Sequence, residues 1–443
     1  MIQLSPQAAF AIEKLEQAGF EAYVVGGAVR DALRGAPTAD WDLTTSALPT
    51  QTEAVFSGFP VVETGLKHGT VTVRISHVPL EITTFRCDGA YSDHRRPDSV
   101  RYTASLREDL ARRDFTVNTM AWCARTGLVD PFGGQKDLKQ GVIRCVGQAQ
   151  TRFEEDALRI LRALRFAARL DFAIEPQTAA AILEKKALLS RVSAERIQKE
   201  LSGLLCGAAA ERVLTDFAPV AAEVLPELRA SFGFEQRNIH HNLDVWRHTL
   251  HAVSCVPPEP VLRWAALLHD VGKPRCFTLD EAGQGHFYGH AQLGAAMAEE
   301  ILARLRFSGA WTQQILTLIR WHDVPVPADR QQLARLLRKL GEPGVRQFLA
   351  LHRADTLAQA PCCRARLETC AAAERLLAQL LQENACVSLR ELALNGHDLL
   401  ALGLRGRAVG QALELCLQAV MDGAVPNEKP ALLAFLREQN FLP

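Results

Sequence analysis

Tyr23–Thr45 reads YVVGGAVRDALRGAPTADWDLTT, and its punctuation decides how the chain begins to fold. Tyr23, Val24 and Val25 are β-prone, Gly26 and Gly27 interrupt them, and Ala28 to Leu33 has the composition of a helix. The order predicts a strand, a glycine turn and a helix start. Such a turn lets a polyanion approach the backbone, and the helix N-terminus offers unpaired N–H groups at the positive end of its dipole. Arg30, in the first helical turn, can add a charge-assisted bond to a phosphate oxygen. A Gly-Gly between strand and helix is by itself more often only a turn. Asp40-Trp41-Asp42 sharpens the reading. Residues i and i+2 of a strand-like run share a face. Two carboxylates held side by side call for a cation, and magnesium, which takes one or two protein carboxylates together with substrate phosphates, suits them. A bare Asp-x-Asp is commonly a solvated pair; its distance from Gly26-Gly27 and Arg30 favours a metal site.

Together these residues resemble the class II tRNA nucleotidyltransferases and bacterial poly(A) polymerases, members of the polymerase-β-like nucleotidyltransferase superfamily. The resemblance implies two-metal nucleotidyl transfer, with Mg2+ held by Asp40 and Asp42. One ion activates a 3′-hydroxyl and the other stabilises the departing pyrophosphate.

Around this stretch the head reads as α/β. A helix precedes Tyr23, with Ala9, Ile12, Leu15 and Ala18 near helical spacing, and another is expected over Pro49 to Val55. Strands are expected at Val61-Val62, Thr70 to Ile75 and Leu80 to Phe85. Glu81 is a candidate third carboxylate, weighed against an exposed strand glutamate. Arg86 to Arg101, RCDGAYSDHRRPDSVR, is rich in charge and turn formers and reads as a mobile loop. In the resembled enzymes a flexible loop at this place goes with full CCA activity. Arg112 to Asn118 resembles the family's RRDFTxNA motif, with Thr119 in place of alanine, and implies a triphosphate and ribose site with Arg113 in direct contact. Asp130 to Gly134 reads as a turn closing the head.

From about Thr151 the pattern is helical. Glu154 to Phe166, EEDALRILRALRF, places Asp156, Arg159 and Arg162 at threefold spacing, hence on one helical side, with Leu158, Leu161 and Ala168 turned to a core. Alone this is a helix with ion pairs. It also matches the family's EDxxR motif, which implies that Asp156 and Arg159 form a protein template reading the Watson–Crick edges of CTP and ATP, with Arg162 and Arg165 in support. A carboxylate accepts from the exocyclic amine that CTP and ATP share, and a guanidinium donates to ring nitrogen or carbonyl oxygen. Val192 to Ile197 resembles the following neck motif; a capped helix beginning at Ser193 accounts for it equally well.

Further on, His248, the adjacent His269-Asp270 and Asp355 fall on successive helical stretches between about Asn238 and Ala358. This order resembles the HD phosphohydrolases and implies a second divalent-metal site, able to activate water on phosphate esters. His290 and His322 are additional imidazoles that could support a second ion. His397-Asp398 has no companion ligands and reads as a decoy.

Composition sets outer bounds. At 443 residues the chain divides into several domains. With 50 Lys plus Arg against 50 Asp plus Glu, net charge offers no global argument for nucleic-acid binding, so RNA contact must come from local clusters. Eleven cysteines without paired CxxC spacing read as reduced, mostly buried thiols. No apolar run reaches membrane-spanning length and MIQLSPQAAF lacks signal-peptide regions, so a cytoplasmic location without membrane contact is the expectation.

The expected fold class is α+β. A nucleotidyltransferase head with a small mixed sheet (1–145) precedes an all-α neck (146–235), an HD body (236–360) and a helical tail (361–443). The expected activity is CCA addition to the tRNA 3′ end from CTP and ATP. An A-adding enzyme or poly(A) polymerase, and an HD phosphohydrolase with an RNA-binding head, are the alternatives. Oligomeric state has no sequence signal.

Overall fold

The computed structural model describes residues 2–38, 40–65, 69–89, 100–327, 329–383 and 385–442. The chain forms two compact units, Met1–Pro226 and Glu227–Pro443. The expected head and most of the expected neck lie in the first unit; residues 227–235 of that neck lie in the second with the expected body and tail.

The first unit begins with α1 (Pro6–Gln17), β1 (Ala22–Val25), α2 (Gly27–Leu33), β2 (Leu43–Thr45), α3 (Pro49–Val55), β3 (Val61–Gly65), β4 (Thr70–Ile75) and β5 (Val78–Thr84). After β6 (Arg86–Asp88) and β7 (Val100–Tyr102) come α4 (Leu106–Ala111), β8 (Ala121–Cys123), β9 (Gly127–Val129) and α5 (Gly134–Gln140). The sheet order is β3-β4-β5-β2-β1-β8-β9, antiparallel except where β2 runs parallel to β5. The pattern is that of an α+β head.

Register explains why distant sequence segments meet. Antiparallel pairing sets Val24 beside Leu43, so the turn leaving β1 lies next to the residues entering β2. The Val25 N–H donates to the Asp42 carbonyl at 3.0 Å. On the other flank Val25 faces Ala121, and the Gly26 N–H donates to the Met120 carbonyl at 3.2 Å. Glycine turn, aspartate pair and the segment ending at Asn118 therefore meet at one end of the central strands β2, β1 and β8. Beneath the sheet Ala8, Ala11, Ile12 and Leu15 of α1 pack with Val24, Val71, Leu80 and Ile82. The buried face of α1 is thus shifted from the expected one, since Ala9 is exposed.

The loop expected over Arg86–Arg101 begins and ends in a two-stranded antiparallel pair, β6 with β7, in which Arg86 faces Tyr102. Its residues 90–99 lie outside those described.

The rest of the unit is helical: α6 (Ala149–Glu155), α7 (Leu158–Leu170), α8 (Pro176–Lys185), α9 (Ala194–Leu205), α10 (Ala210–Asp216) and α11 (Ala218–Val224). Asp156 is not part of a continuous helix as its spacing suggested. It ends α6 in an extended conformation, φ −140° and ψ 103°. Ser193 stands at the N-cap of α9 but its side chain makes no capping bond there.

Head and neck are tied by one buried carboxylate. Arg162 Nε and Nη2 donate to Asp114 Oδ2 at 2.8 and 2.6 Å, and Asp114 Oδ1 accepts from the Asn118 amide at 3.0 Å and the Phe115 N–H at 2.8 Å. Burial alone would raise the Asp114 carboxyl, yet Arg162 and Asn118 outweigh it and bring it down to about 2.

The second unit contains α12 (Val245–Cys255), α13 (Pro260–Leu268), α14 (Lys273–Cys276), α15 (His290–Arg304), α16 (Gly309–Trp321) and α17 (Arg330–Ala358), the last interrupted at Gly341. It continues through α18 (Arg366–Gln382), α19 (Gly396–Ala401), α20 (Arg407–Met421) and α21 (Lys429–Glu438). Among the described residues no helix is long and apolar enough to cross a membrane.

Because the folded value of Asp114 lies below the unfolded one, its contribution is fully present above about pH 4 and disappears as pH falls through about 2. The shift corresponds to on the order of 2 kcal/mol. Asp114→Asn should lower the melting temperature at pH 7, and the gap from the parent protein should narrow below pH 4. A gap independent of pH between 7 and 2.5 would remove the charge from this account.

Candidate active site

A cavity of about 600 Å³ in the first unit is lined by Gly26, Gly27, Arg30, Asp40, Asp42, Arg113, Asp156, Arg159, Arg162 and Arg165. The ten residues expected from the sequence to hold metal or nucleotide in the head and neck all line this one concavity. Glu81 is not among its lining residues; register places it level with Asp42, since Ile82 pairs with Leu43.

Gly26 adopts φ 71° and ψ −129°, which side-chain-bearing residues rarely take. A Cβ there would lie 3.1 Å from Arg113 Nη1, so this glycine also admits a guanidinium against the backbone. Arg113 is drawn inward by Asp109, whose fully buried carboxylate lies 3.4 Å from Arg113 Nη2 and accepts from Arg112 at 2.8 Å. Arg113 Nε is buried with no hydrogen-bond partner.

Asp40 and Asp42 stand in the segment just before β2 rather than on the strand itself. Both are exposed, and among the described residues neither side chain makes a hydrogen bond or an ion pair. Desolvation in the cavity raises the Asp42 carboxyl above its ordinary value; Arg113 opposes the rise and Asp40 adds to it.

Arg30 is more committed than its sequence position suggested. It donates to Asp31 through Nε and Nη2, both at 2.9 Å, and to Asn118 Oδ1 at 2.7 Å, and its guanidinium lies over the Phe166 ring. Three of its five N–H groups are thus used within the protein. Arg159 is also engaged, with Glu155 at 2.6 Å and with the carbonyls of Arg152 and Arg112. Asp156 accepts from the Leu158 N–H at 3.1 Å through Oδ1 and from Arg196 at 2.9 Å through Oδ2. Glu200 pairs with Arg165 and lies 3.8 Å from Arg162. Arg196 and Glu200, four apart on α9, were missed as supports of the site. Their i,i+4 spacing beside the neck motif was the available signal.

The comparisons with known proteins agree with this geometry. The Poly A polymerase head domain family matches residues 22–144, "Probable RNA and SrmB- binding site of polymerase A" matches 171–230, and a second domain of tRNA nucleotidyltransferases matches 286–436. The CCA-adding enzyme of Geobacillus stearothermophilus is 36% identical over 439 residues, covering 97% of this chain and 96% of its own. That of Geobacillus thermodenitrificans is 34% identical over 447 residues, covering 98% and 97%. The chain belongs to the CCA-adding enzymes. The fold agrees: the crystal structure of the Bacillus stearothermophilus CCA-adding enzyme in complex with CTP superposes with a TM-score of 0.71 at 32% identity, covering 99% of this chain and 98% of that one. As in other CCA-adding enzymes, the assignment is to a nucleotidyltransferase.

In the second unit the HD residues also converge. His248 Nε2 lies 2.9 Å from Asp355 Oδ1 and 3.3 Å from Asp270 Oδ2, and His269 Nε2 lies 3.2 Å from Asp270 Oδ2. The four ligand atoms fall within 4.8 Å of one another. His248 Nε2, His269 Nε2 and Asp270 Oδ2 are buried without a hydrogen bond of acceptable geometry, although Lys273 Nζ lies 2.7 Å from Asp270 Oδ2. Burial alone would raise the Asp270 carboxyl, but His269 and Lys273 outweigh it and hold it well below the carboxylate range. His397-Asp398 is structural: Asp398 caps α19 and pairs with Lys429 at 2.6 Å.

All eleven cysteines are free thiols. Cys362 and Cys363 lie near His240 as a further group of soft ligands, which their sequence spacing did not suggest.

Arg196→Ala should release Asp156 from one of its two fixed bonds. The expected result is a loss of kcat/KM for CTP and ATP of about tenfold or more, with an unchanged circular dichroism spectrum. Unaltered kinetics and nucleotide selectivity would show that Arg196 does not position Asp156.

Proposed function

We propose that the chain adds C, C and A to the 3′ end of tRNA, using CTP and ATP and releasing pyrophosphate. The observation that carries the reading is the single cavity joining the Asp40/Asp42 pair to Asp156 and Arg159, the chemistry of transfer to the chemistry of base choice. The solved relative with CTP supports a nucleotide in such a cavity.

In this reading the nucleotide base faces Asp156 and Arg159, and its triphosphate runs toward Arg113 and the Gly26-Gly27 turn. Asp156 accepts from the exocyclic amine common to cytosine and adenine, which uracil lacks at that place. Arg159 donates to the base in exchange for part of its bonding to Glu155. The tRNA 3′-hydroxyl loses its proton to solvent as its oxygen attacks the α-phosphorus; a new P–O bond forms, and the bond from the α-phosphorus to the α,β-bridging oxygen breaks with its electron pair leaving on pyrophosphate. Arg113 and Arg162 supply positive charge where the phosphates lie. Asp40 and Asp42 are the residues that would hold Mg2+, which when bound lowers the pKa of the attacking hydroxyl and neutralises the leaving group. tRNA is expected to be read by shape and backbone, so that immature and partly completed ends meet one pocket.

A second reading concerns the second unit, where the buried, unpartnered ligand atoms favour a divalent-metal site at His248, His269, Asp270 and Asp355. Its donor set, imidazole with carboxylate, suits a transition ion better than magnesium.

Labelled CTP and ATP should be incorporated, together and separately, into tRNA transcripts lacking CCA, CA or only A, with synthesis stopping after the terminal A. Addition of A alone, or of a long A tail, would reassign the activity to an A-adding enzyme or a poly(A) polymerase. Asp42→Ala should abolish incorporation; retained incorporation would remove the aspartate pair from catalysis. Arg159→Ala should relax the preference for CTP and ATP over UTP and GTP, and unchanged selectivity would take it out of the template.

A further inference from the structure

Outside the His/Asp group, the second unit gathers three soft ligand atoms near the turn that follows α17. Cys362 and Cys363 are adjacent in that turn, Pro361–Cys363, and His240 precedes α12. Cys363 Sγ lies 3.5 Å from His240 Nδ1 and 4.0 Å from Cys362 Sγ. The three ligand atoms all fall within 4.8 Å of one another. None of the three residues lines the cavity of about 280 Å³ that opens onto Asp270 and Asp355.

Backbone bonds bring them together. The His240 N–H donates to Asn238 Oδ1 at 2.9 Å and the Asn238 amide donates to the Gly285 carbonyl at 3.0 Å, which fixes the segment before α12. The Ala360 N–H donates to the His240 carbonyl at 2.8 Å and joins that segment to the end of α17. Pro361 then opens the turn, and the Cys363 N–H closes it on the Ala360 carbonyl at 2.9 Å. Imidazole and thiol, 123 positions apart, are thus set side by side by bonds that do not use the ligand side chains.

The spacing fits a single ion. In a tetrahedral zinc centre, bonds of about 2.3 Å to sulfur and about 2.0 Å to nitrogen set two sulfurs about 3.8 Å apart and sulfur and nitrogen about 3.5 Å apart. The observed 4.0 and 3.5 Å need only a small adjustment. The Cys363 S–H can donate to Nδ1 and the exposed Cys362 thiol to the Ile239 carbonyl at 3.5 Å. Thiols are weak donors, however, and such bonds do not require two sulfurs and an imidazole nitrogen to converge. Thiolate donors select zinc and other thiophilic ions over magnesium, and three protein ligands leave a fourth position for water.

We propose that Cys362, Cys363 and His240 bind one zinc ion, both thiols giving up their protons to solvent, and that the ion clamps the segment before α12 to the end of α17. Asn238 on one side of the clamp and Gln359 on the other line the same cavity, so the ion braces two of its walls.

The test uses the full-length protein, reduced, freed of metal and titrated with Co2+ as a spectroscopic stand-in for zinc. A thiolate-to-cobalt charge-transfer band in the near ultraviolet is expected, saturating at one ion per chain and bleached by added Zn2+. Cobalt on imidazole and carboxylate alone gives no such band, so the His/Asp group does not contribute. Cys362→Ser, at an exposed position, should weaken the binding that produces the band by about tenfold or more, as should His240→Gln. Cys362→Ser/Cys363→Ser should abolish the band with an unchanged circular dichroism spectrum. Zinc should also slow amide hydrogen exchange in residues 236–241 and 359–364 of the parent protein, and not in Cys362→Ser/Cys363→Ser. No thiolate band, or one that survives Cys362→Ser/Cys363→Ser, overturns the site. Unweakened binding in His240→Gln removes the imidazole from it. A band lost as expected, with exchange in the two segments unaltered by zinc, overturns the clamp.

Discussion

The carboxylate of Asp114 is the point on which the first unit turns. A buried carboxylate is tolerated only when its lone pairs are taken up, and here they are taken by Arg162 from α7 and by Asn118 and the Phe115 N–H from the segment before β8. Asn118 in turn holds Arg30 of α2 through its amide oxygen. One chain of bonds thus runs from the helix that follows the glycine turn, through the Arg112–Asn118 motif, to the helix that follows Asp156. Because each member satisfies the next, none can shift without leaving a buried polar group unpaired. The cavity has its form because this network is complete.

The groups left incomplete are as informative. Arg113 Nε is buried without a partner, and the side chains of Asp40 and Asp42 make no hydrogen bond or ion pair among the described residues. In the second unit the buried atoms without a partner include Nε2 of His248 and of His269 and Oδ2 of Asp270. Other buried carboxylates are paired, as Asp109 is with Arg112 and Glu200 with Arg165. Buried polar atoms without partners are rare enough to call for a physical reason, and three of them fall together at His248, His269 and Asp270.

How much could be read beforehand follows from what is local. The strand, turn and helix at Tyr23–Leu33 obey short-range rules, and β1 and α2 fall where those rules put them. The helical half is legible for the same reason. The spacing of Asp156, Arg159 and Arg162 suggests one helix, while the chain breaks at Asp156 between α6 and α7. Arg30 was read as free for phosphate because its partner Asn118 lies 88 residues away, and no local pattern records that bond. Arg196 and Asp156, 40 apart, escaped notice likewise. The division at Pro226 has no compositional mark, since helices continue on both sides.

The break at Asp156 has a consequence for base reading in the proposed reaction. The Asp156 N–H still closes α6 on the Arg152 carbonyl at 3.3 Å, but its φ and ψ leave the helix there. At the break, extended backbone lets Oδ1 accept from the Leu158 N–H while Arg196 holds Oδ2 from α9. Arg162 and Arg165 are fixed on the same α7 by Asp114 and Glu200. The group that would accept the base amine and the groups that would face phosphate thus ride on one short, doubly braced segment. A template made of protein must hold its pattern without a pairing strand to align it, and orientation to within a fraction of an ångström is what such bracing supplies. Cytosine and adenine differ in size yet share an amine donor, so a fixed acceptor beside a roomy cavity would admit both, with Arg159 beside it completing the discrimination against uracil and guanine.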